Sequence, residues 1–156
     1  MRVYLAGPLF TPYERDFLAG CAARIREAGI EVFVPHEHAL ADADTRPAAI
    51  FEQDFAGLAA ADAVVALLDG PMVDDGTACE IGLFHGLLLA DPAKKGTVGL
   101  LTDFRAASRE GPRLNLFVHG CVEESGGVQE TIEAVLEVLL RWRSELERAA
   151  RPEPPH

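Results

Sequence analysis

The stretch Ala63–Gly86, AVVALLDGPMVDDGTACEIGLFHG, decides the fold. Ala63 to Leu68 is an unbroken apolar run without the alternation of a half-exposed strand, so it reads as a strand covered on both faces. A loop carrying Asp69, Asp74 and Asp75 follows, and a helix opening at Thr77 puts Glu80 in its first turn. Carboxylates thus gather where a strand ends and a helix begins. Open α/β sheets bind ligands at such junctions, outside the carboxyl ends of their strands.

Upstream, Val3 to Ala6 is a short apolar strand stopped by Gly7-Pro8. Pro12 to Glu27 is a helix with Phe17, Leu18, Cys21, Ala22 and Ile25 on its apolar face. Glu31 to Val34 is a second strand, residues 36 to 46 (HEHALADADTR) are a polar loop, and Pro47 opens a helix to about Ala60. Downstream, Thr97 to Leu101 reads as the fourth strand and residues 102 to 113 as a charged loop. Leu114 to Val118 reads as the fifth strand, and Val128, Ile132, Val135, Leu139, Trp142 and Leu146 mark a long final helix.

Strands alternating with helices predict a parallel sheet covered on both faces. The expected architecture is a flavodoxin-like or Rossmann-like α/β three-layer sandwich. Its five strands run in the order 2-1-3-4-5, with a ligand crevice at the switch point between strands 1 and 3. Residues 1–150 are expected to form a single domain and 151–156 (RPEPPH) a disordered tail.

Composition narrows the partners. With 49% apolar and 25% charged residues, the chain has the profile of a folded globular protein. A formal net charge of −11 argues against nucleic acid and anionic membrane surfaces, which both call for basic faces. Cys21, Cys79 and Cys121 show no CxxC spacing and read as reduced thiols. Met1 leads directly into a strand, with no basic apolar leader and no bilayer-length run, so a cytoplasmic location is expected.

Several side chains can carry chemistry. Thr77-x-x-Glu80 has the spacing of a capping box, so Glu80 can be a structural cap. The same helix terminus would favour the carboxylate anion, as a covalent glycosyl-transfer nucleophile requires. Asp54 lies four residues from both Ile50 and Leu58, in a stripe with Phe51 and Phe55. A carboxyl facing a sheet acquires a partner or a raised pKa, unless it sits at the margin and reaches water.

Tyr4 on the first strand is a core residue whose hydroxyl needs a partner. His36 and His38 lack a third ligand at zinc spacing and read as polar lining. The acid cluster could suggest Mg²⁺, yet neither GxxxxGK[ST] nor GxGxxG accompanies it. No metal and no cofactor is expected.

YLAGPLF at residues 4 to 10, EQDF around Asp54, DDGTACEIG at 74 to 82 and LNLF at 114 to 117 together resemble the nucleoside 2-deoxyribosyltransferase family. The resemblance covers roughly residues 1 to 120, and D-x-G-T-x-x-E-x-G is its specific part. It implies exchange of 2-deoxyribose between nucleobases by two displacements, with 2′-deoxynucleosides and free nucleobases as partners.

By the motif, Glu80 would be the nucleophile, Tyr4 would orient it, and Asp54 would protonate the departing base. Asp74 would bind the sugar hydroxyls, Gly7 and Gly76 would border the substrate, and Phe10 would line the base end. Asn115 and Phe117 would come from a neighbouring subunit, which implies a homo-oligomer.

Two alternatives stand beside this reading. One is an N-glycosidase that hydrolyses 2′-deoxynucleosides or their 5′-monophosphates; related enzymes acting on the monophosphates need phosphate donors after the first strand. Here that loop is the apolar Gly7-Pro8-Leu9-Phe10, with only Thr11 and Arg15 nearby, so free nucleosides are expected. A non-catalytic nucleoside- or nucleotide-binding module would use the same fold without needing Glu80.

Overall fold

In the computed structural model, which describes residues 1–38, 46–103 and 114–151, helices and strands alternate along the chain. The elements are β1 (Arg2–Ala6), α1 (Pro12–Glu27), β2 (Glu31–Phe33), a 3-10 turn (Pro35–His38), α2 (Pro47–Ala60), β3 (Ala63–Leu67), α3 (Asp75–Ala90), β4 (Gly96–Leu100), α4 (Leu116–Glu123), β5 (Val128–Gln129) and α5 (Ile132–Ala149). The sheet has five strands in the order β2-β1-β3-β4-β5. Every pairing is parallel, with Tyr4 opposite Phe33 and Val64, and Val65 opposite Val98.

Every residue of β3 is buried, which is why its sequence shows no alternation. Successive side chains of the strands supply two separate cores. Val3, Leu5, Val65 and Leu67 pack with Leu18 and Ile25 of α1 and Val135, Leu139 and Trp142 of α5. Tyr4, Ala6, Val64 and Ala66 pack on the other face with Leu58 of α2, Ile81 and Phe84 of α3 and Val122 of α4. Asp54 on α2 and Glu80 on α3 belong to this second face.

Three local expectations are corrected. Leu114–Val118 is not the fifth strand: Asn115 caps α4, its Oδ1 accepting the amides of Phe117 and Val118 at 3.0 and 3.3 Å. The fifth strand is Val128–Gln129, taken from the expected final helix, which starts at Ile132 behind the Thr131 cap. Helix α3 begins at Asp75 rather than Thr77, because Asp74 caps it with Oδ2 accepting the Thr77 amide at 3.0 Å.

Glu80 therefore lies in the second turn of α3 and is no part of a capping box. The apolar stripe of α2 also divides. Gly57 and Leu58 face the sheet, whereas Ile50, Phe51 and Phe55 are exposed and Phe51 stacks on Phe55. The expected loop 36–46 begins with the 3-10 turn, and its residues 39–45, like the loop residues 104–113 and the tail 152–156, lie outside the described residues.

Candidate active site

β1 and β3 are neighbours, and the chain leaves them toward opposite faces, to α1 and to α3, so their carboxyl ends flank the crevice of a doubly wound sheet. Tyr4 is fully buried on β1 and its hydroxyl donates to Oε1 of Glu80, one turn inside α3. Burial pushes the Glu80 carboxyl up to about 7. The Tyr4 hydrogen bond opposes that shift, and the negative charges of Asp54 and Asp74 add to it. Burial first, then the Glu80 charge, raises the Tyr4 phenol far above its ordinary value, so it stays a donor.

Burial thus works against the ionised form of Glu80 that the helix terminus was expected to favour. At the start of α3, a turn away, the Thr77 amide is taken by Asp74 and the Gly76 amide by Asp75, while burial raises the Glu80 pKa.

Asp54 is half-buried on α2, and desolvation raises its pKa while a 3.3 Å hydrogen bond from Gln53 Nε2 lowers it. Gln53 also reaches the carbonyl of Pro35 at 3.4 Å, tying α2 to the turn after β2. Asp54, Asp74, Tyr4 and Glu80 are thus one electrostatic group. Among the described residues, the groups that shift Glu80 and Asp54 include no arginine or lysine. Asp74 Oδ2 serves Thr77, its hydroxyl included at 3.2 Å, while Oδ1 takes no hydrogen bond among the described residues.

The remaining expected residues fall differently. Gly7 has a packing reason of its own, since a Cβ there would lie 2.9 Å from Leu18 and 3.1 Å from Leu67. Gly76 lies beside the Asp74 carboxylate, which a Cβ would approach to 3.2 Å. Phe10 is 77% exposed at the rim, in a loop whose Leu9 carbonyl accepts from Arg15 at 2.6 Å. Asn115 is exposed and Phe117 is 82% exposed, and the described contacts join neither to Glu80. His38 stacks on Phe33, and His36 Nδ1 is buried without a hydrogen-bond partner.

Two features escaped the sequence reading. Phe33 stacks on Tyr4 with ring centroids 5.4 Å apart, a contact that follows from the β1–β2 register. Asp69 is a brace rather than a free acid. Its Oδ1 accepts the amides of Thr102 and Asp103 at 2.6 and 2.9 Å, and its Oδ2 accepts the Thr102 hydroxyl. The signal was its place two residues beyond the buried β3, opposite a threonine two residues beyond β4. A cavity of about 490 Å³ opens on the other face of the sheet, between α1 and α5, and no candidate residue lines it.

A buried carboxyl held by a phenol, with a second carboxyl beside it, suits acid–base and nucleophilic chemistry. Among the described residues no His, Cys, Asp or Glu group has the arrangement of a metal site, and no helix is long and apolar enough to cross a membrane.

Solved structures of other proteins share this fold. A conserved protein from Enterococcus faecalis V583 superposes with a TM-score of 0.78 at 28% identity, over 90% of this chain and 98% of that one. The 2-deoxyribosyltransferase of Bacillus psychrosaccharolyticus gives 0.69 at 22% identity, over 87% and 90%. The CMP N-glycosidase BcmB of Clostridium botulinum gives 0.57 at 19%, over 91% and 99%. No protein of curated function matches the sequence significantly. The sequence profile of the nucleoside 2-deoxyribosyltransferases matches residues 3–131, and with most of its length inside that match the chain belongs to the nucleoside 2-deoxyribosyltransferase family.

Proposed function

We propose that this protein exchanges the base of 2′-deoxynucleosides through a covalent deoxyribosyl-Glu80 intermediate. The observation that carries the proposal is the Tyr4–Glu80 hydrogen bond, buried beside Asp54 at the sheet's switch point. Glu80 attacks the anomeric carbon as the N-glycosidic bond breaks, and the Asp54 carboxyl gives its proton to the departing base nitrogen. An incoming base nitrogen then attacks the same carbon, releases Glu80 and returns a proton to Asp54. Two inversions retain the anomeric configuration.

Tyr4 shares its proton with Glu80 and holds the carboxylate in line. The open Oδ1 of Asp74 accepts a sugar hydroxyl, Gly7 and Gly76 border the sugar, and Phe10 covers the base. The apolar Gly7-Pro8-Leu9-Phe10 loop after β1, with only Thr11 and Arg15 near it, favours nucleosides over nucleotides.

A second copy of the chain would complete the pocket with Asn115 and Phe117. Exposed Ile50, Phe51 and Phe55 on α2, Leu83 and Leu89 on α3, and Leu116 and Phe117 on α4 support an interface on that face.

Incubation of the protein with 2′-deoxyinosine, with and without adenine, tests the reading. Transfer predicts 2′-deoxyadenosine only when adenine is present. Hypoxanthine released equally in both mixtures would make the protein a hydrolase, and no turnover would make it a binding module.

A further inference from the structure

Tyr4 and Phe33 are register partners on neighbouring parallel strands, so both side chains leave the sheet on the same face. The Phe33 ring lies against Tyr4 at 5.4 Å with an 18° interplanar angle, and the His38 ring covers it at 4.3 Å and 4°. The remaining side is closed by α2. A Cβ on Gly57 would meet three Phe33 ring carbons at 2.6, 2.7 and 2.8 Å. Glycine inside a helix costs roughly 0.5–1 kcal/mol relative to alanine, so this position calls for a reason. The reason is the ring: α2 approaches the sheet edge so closely that only hydrogen fits against Phe33.

Resting on the function proposed above, we infer that Phe33 is a positioning residue for the nucleophile: wedged between Tyr4 and Gly57 and covered by His38, it holds the Tyr4 hydroxyl on the Glu80 carboxylate. Tyr4 has no hydrogen-bond partner other than Glu80 among the described residues, so ring packing is what fixes its direction. The same contact ties α2, which carries Asp54 one turn before Gly57, to the strand that carries Tyr4. Acid and nucleophile are thereby set against one ring.

The pH profile reads this directly. The groups facing Glu80 are Tyr4 from β1, Asp54 from α2 and Asp74 from the cap of α3, and Tyr4 alone favours its charged form. Loosening Tyr4 raises the Glu80 pKa, so the acid limb of kcat/KM moves to higher pH. A packing defect that only lowered the folded fraction would not move the limb.

The experiment compares the wild type with Tyr4→Phe, Phe33→Leu, Gly57→Ala and the double variant Phe33→Leu/Gly57→Ala. It follows the limb by kinetics and the Glu80 carboxyl by carbon NMR, so either readout serves for a variant that folds poorly. Phe33→Leu and Gly57→Ala are expected to shift the limb upward by ~0.5–1 pH unit, in the direction of Tyr4→Phe. The double variant should shift it no further than Phe33→Leu alone, because leucine leaves room for the alanine methyl. If Tyr4→Phe moves the limb while Phe33→Leu and Gly57→Ala both leave it at the wild-type pH, the inference is overturned. If Tyr4→Phe itself moves nothing, the assignment of Glu80 and Tyr4 fails instead.

Discussion

At the scale of single residues, the site keeps a carboxyl where a carboxylate is unwelcome. The Glu80 pKa rises from an ordinary 4.5 to about 7, so its burial costs nothing below pH 4.5, costs progressively more as the pH rises, and levels off above about 7. Glu80→Gln keeps an acceptor for Tyr4 and removes the charge. It should therefore abolish exchange yet stabilise the protein at pH 8 by about 3 kcal/mol, with no gain at pH 4.5. Denaturant unfolding at the two pH values measures this, and equal effects at both would contradict the desolvation account. The acid role proposed for Asp54 has a test of its own. Asp54→Asn should lower exchange from 2′-deoxyadenosine ~100-fold or more, as loss of a general acid does. With 7-methyl-2′-deoxyguanosine, whose base leaves without needing a proton, the loss should largely vanish. Initial rates on the two substrates decide it, and equal losses would remove Asp54 from the acid role.

At the scale of elements, what was legible in the sequence followed burial, and what was missed followed caps and register. The β3–α3 unit was readable because a strand covered on both faces leaves an unbroken apolar run. The fifth strand was misplaced because LNLFV suits a strand and a helix equally until Asn115 is seen to cap α4. The true β5 has only two residues, too few for any periodicity. On α2 the exposed Ile50, Phe51 and Phe55 imitated an inward stripe and hid the glycine that meets the sheet. Tyr4, Asp54 and Glu80 were visible through motif and pattern, whereas the Tyr4–Phe33 contact depends on pairing that no local window contains. One long-range cap also went unseen. Lys94 Nζ donates to the carbonyls of Ala59 and Ala61 at 2.8 and 2.7 Å and sits 5.4 Å over the Phe84 ring. Lys94→Met retains the stem but strands the end of α2, and should destabilise by about 2 kcal/mol. Thermal unfolding at constant pH checks it, and an unchanged Tm would show that water replaces the ammonium without loss.

At the scale of the whole molecule, the exposed apolar residues of α2, α3 and α4 lie on the face of the sheet that holds Glu80, so assembly and activity are expected to be linked. If Asn115 serves a neighbour's site, a mixture of inactive Glu80→Gln and Asn115→Ala chains should regain about a quarter of wild-type activity in a two-fold dimer, through hybrids with one intact site. Activity no greater than the sum of the separate variants would show that each chain works alone. The brace at Asp69 has a different consequence. Its carboxylate joins the exits of β3 and β4, and the Leu101 amide bonds the Gln129 carbonyl at 2.8 Å on the other side. The chain is thus anchored before it passes Asp103. Lengthening, shortening or replacing residues beyond that point is therefore expected to transmit little displacement back to Asp74 or Glu80. The brace acts as a firebreak: it lets one loop be rewritten, by evolution or by grafting, without retuning the chemistry beside it.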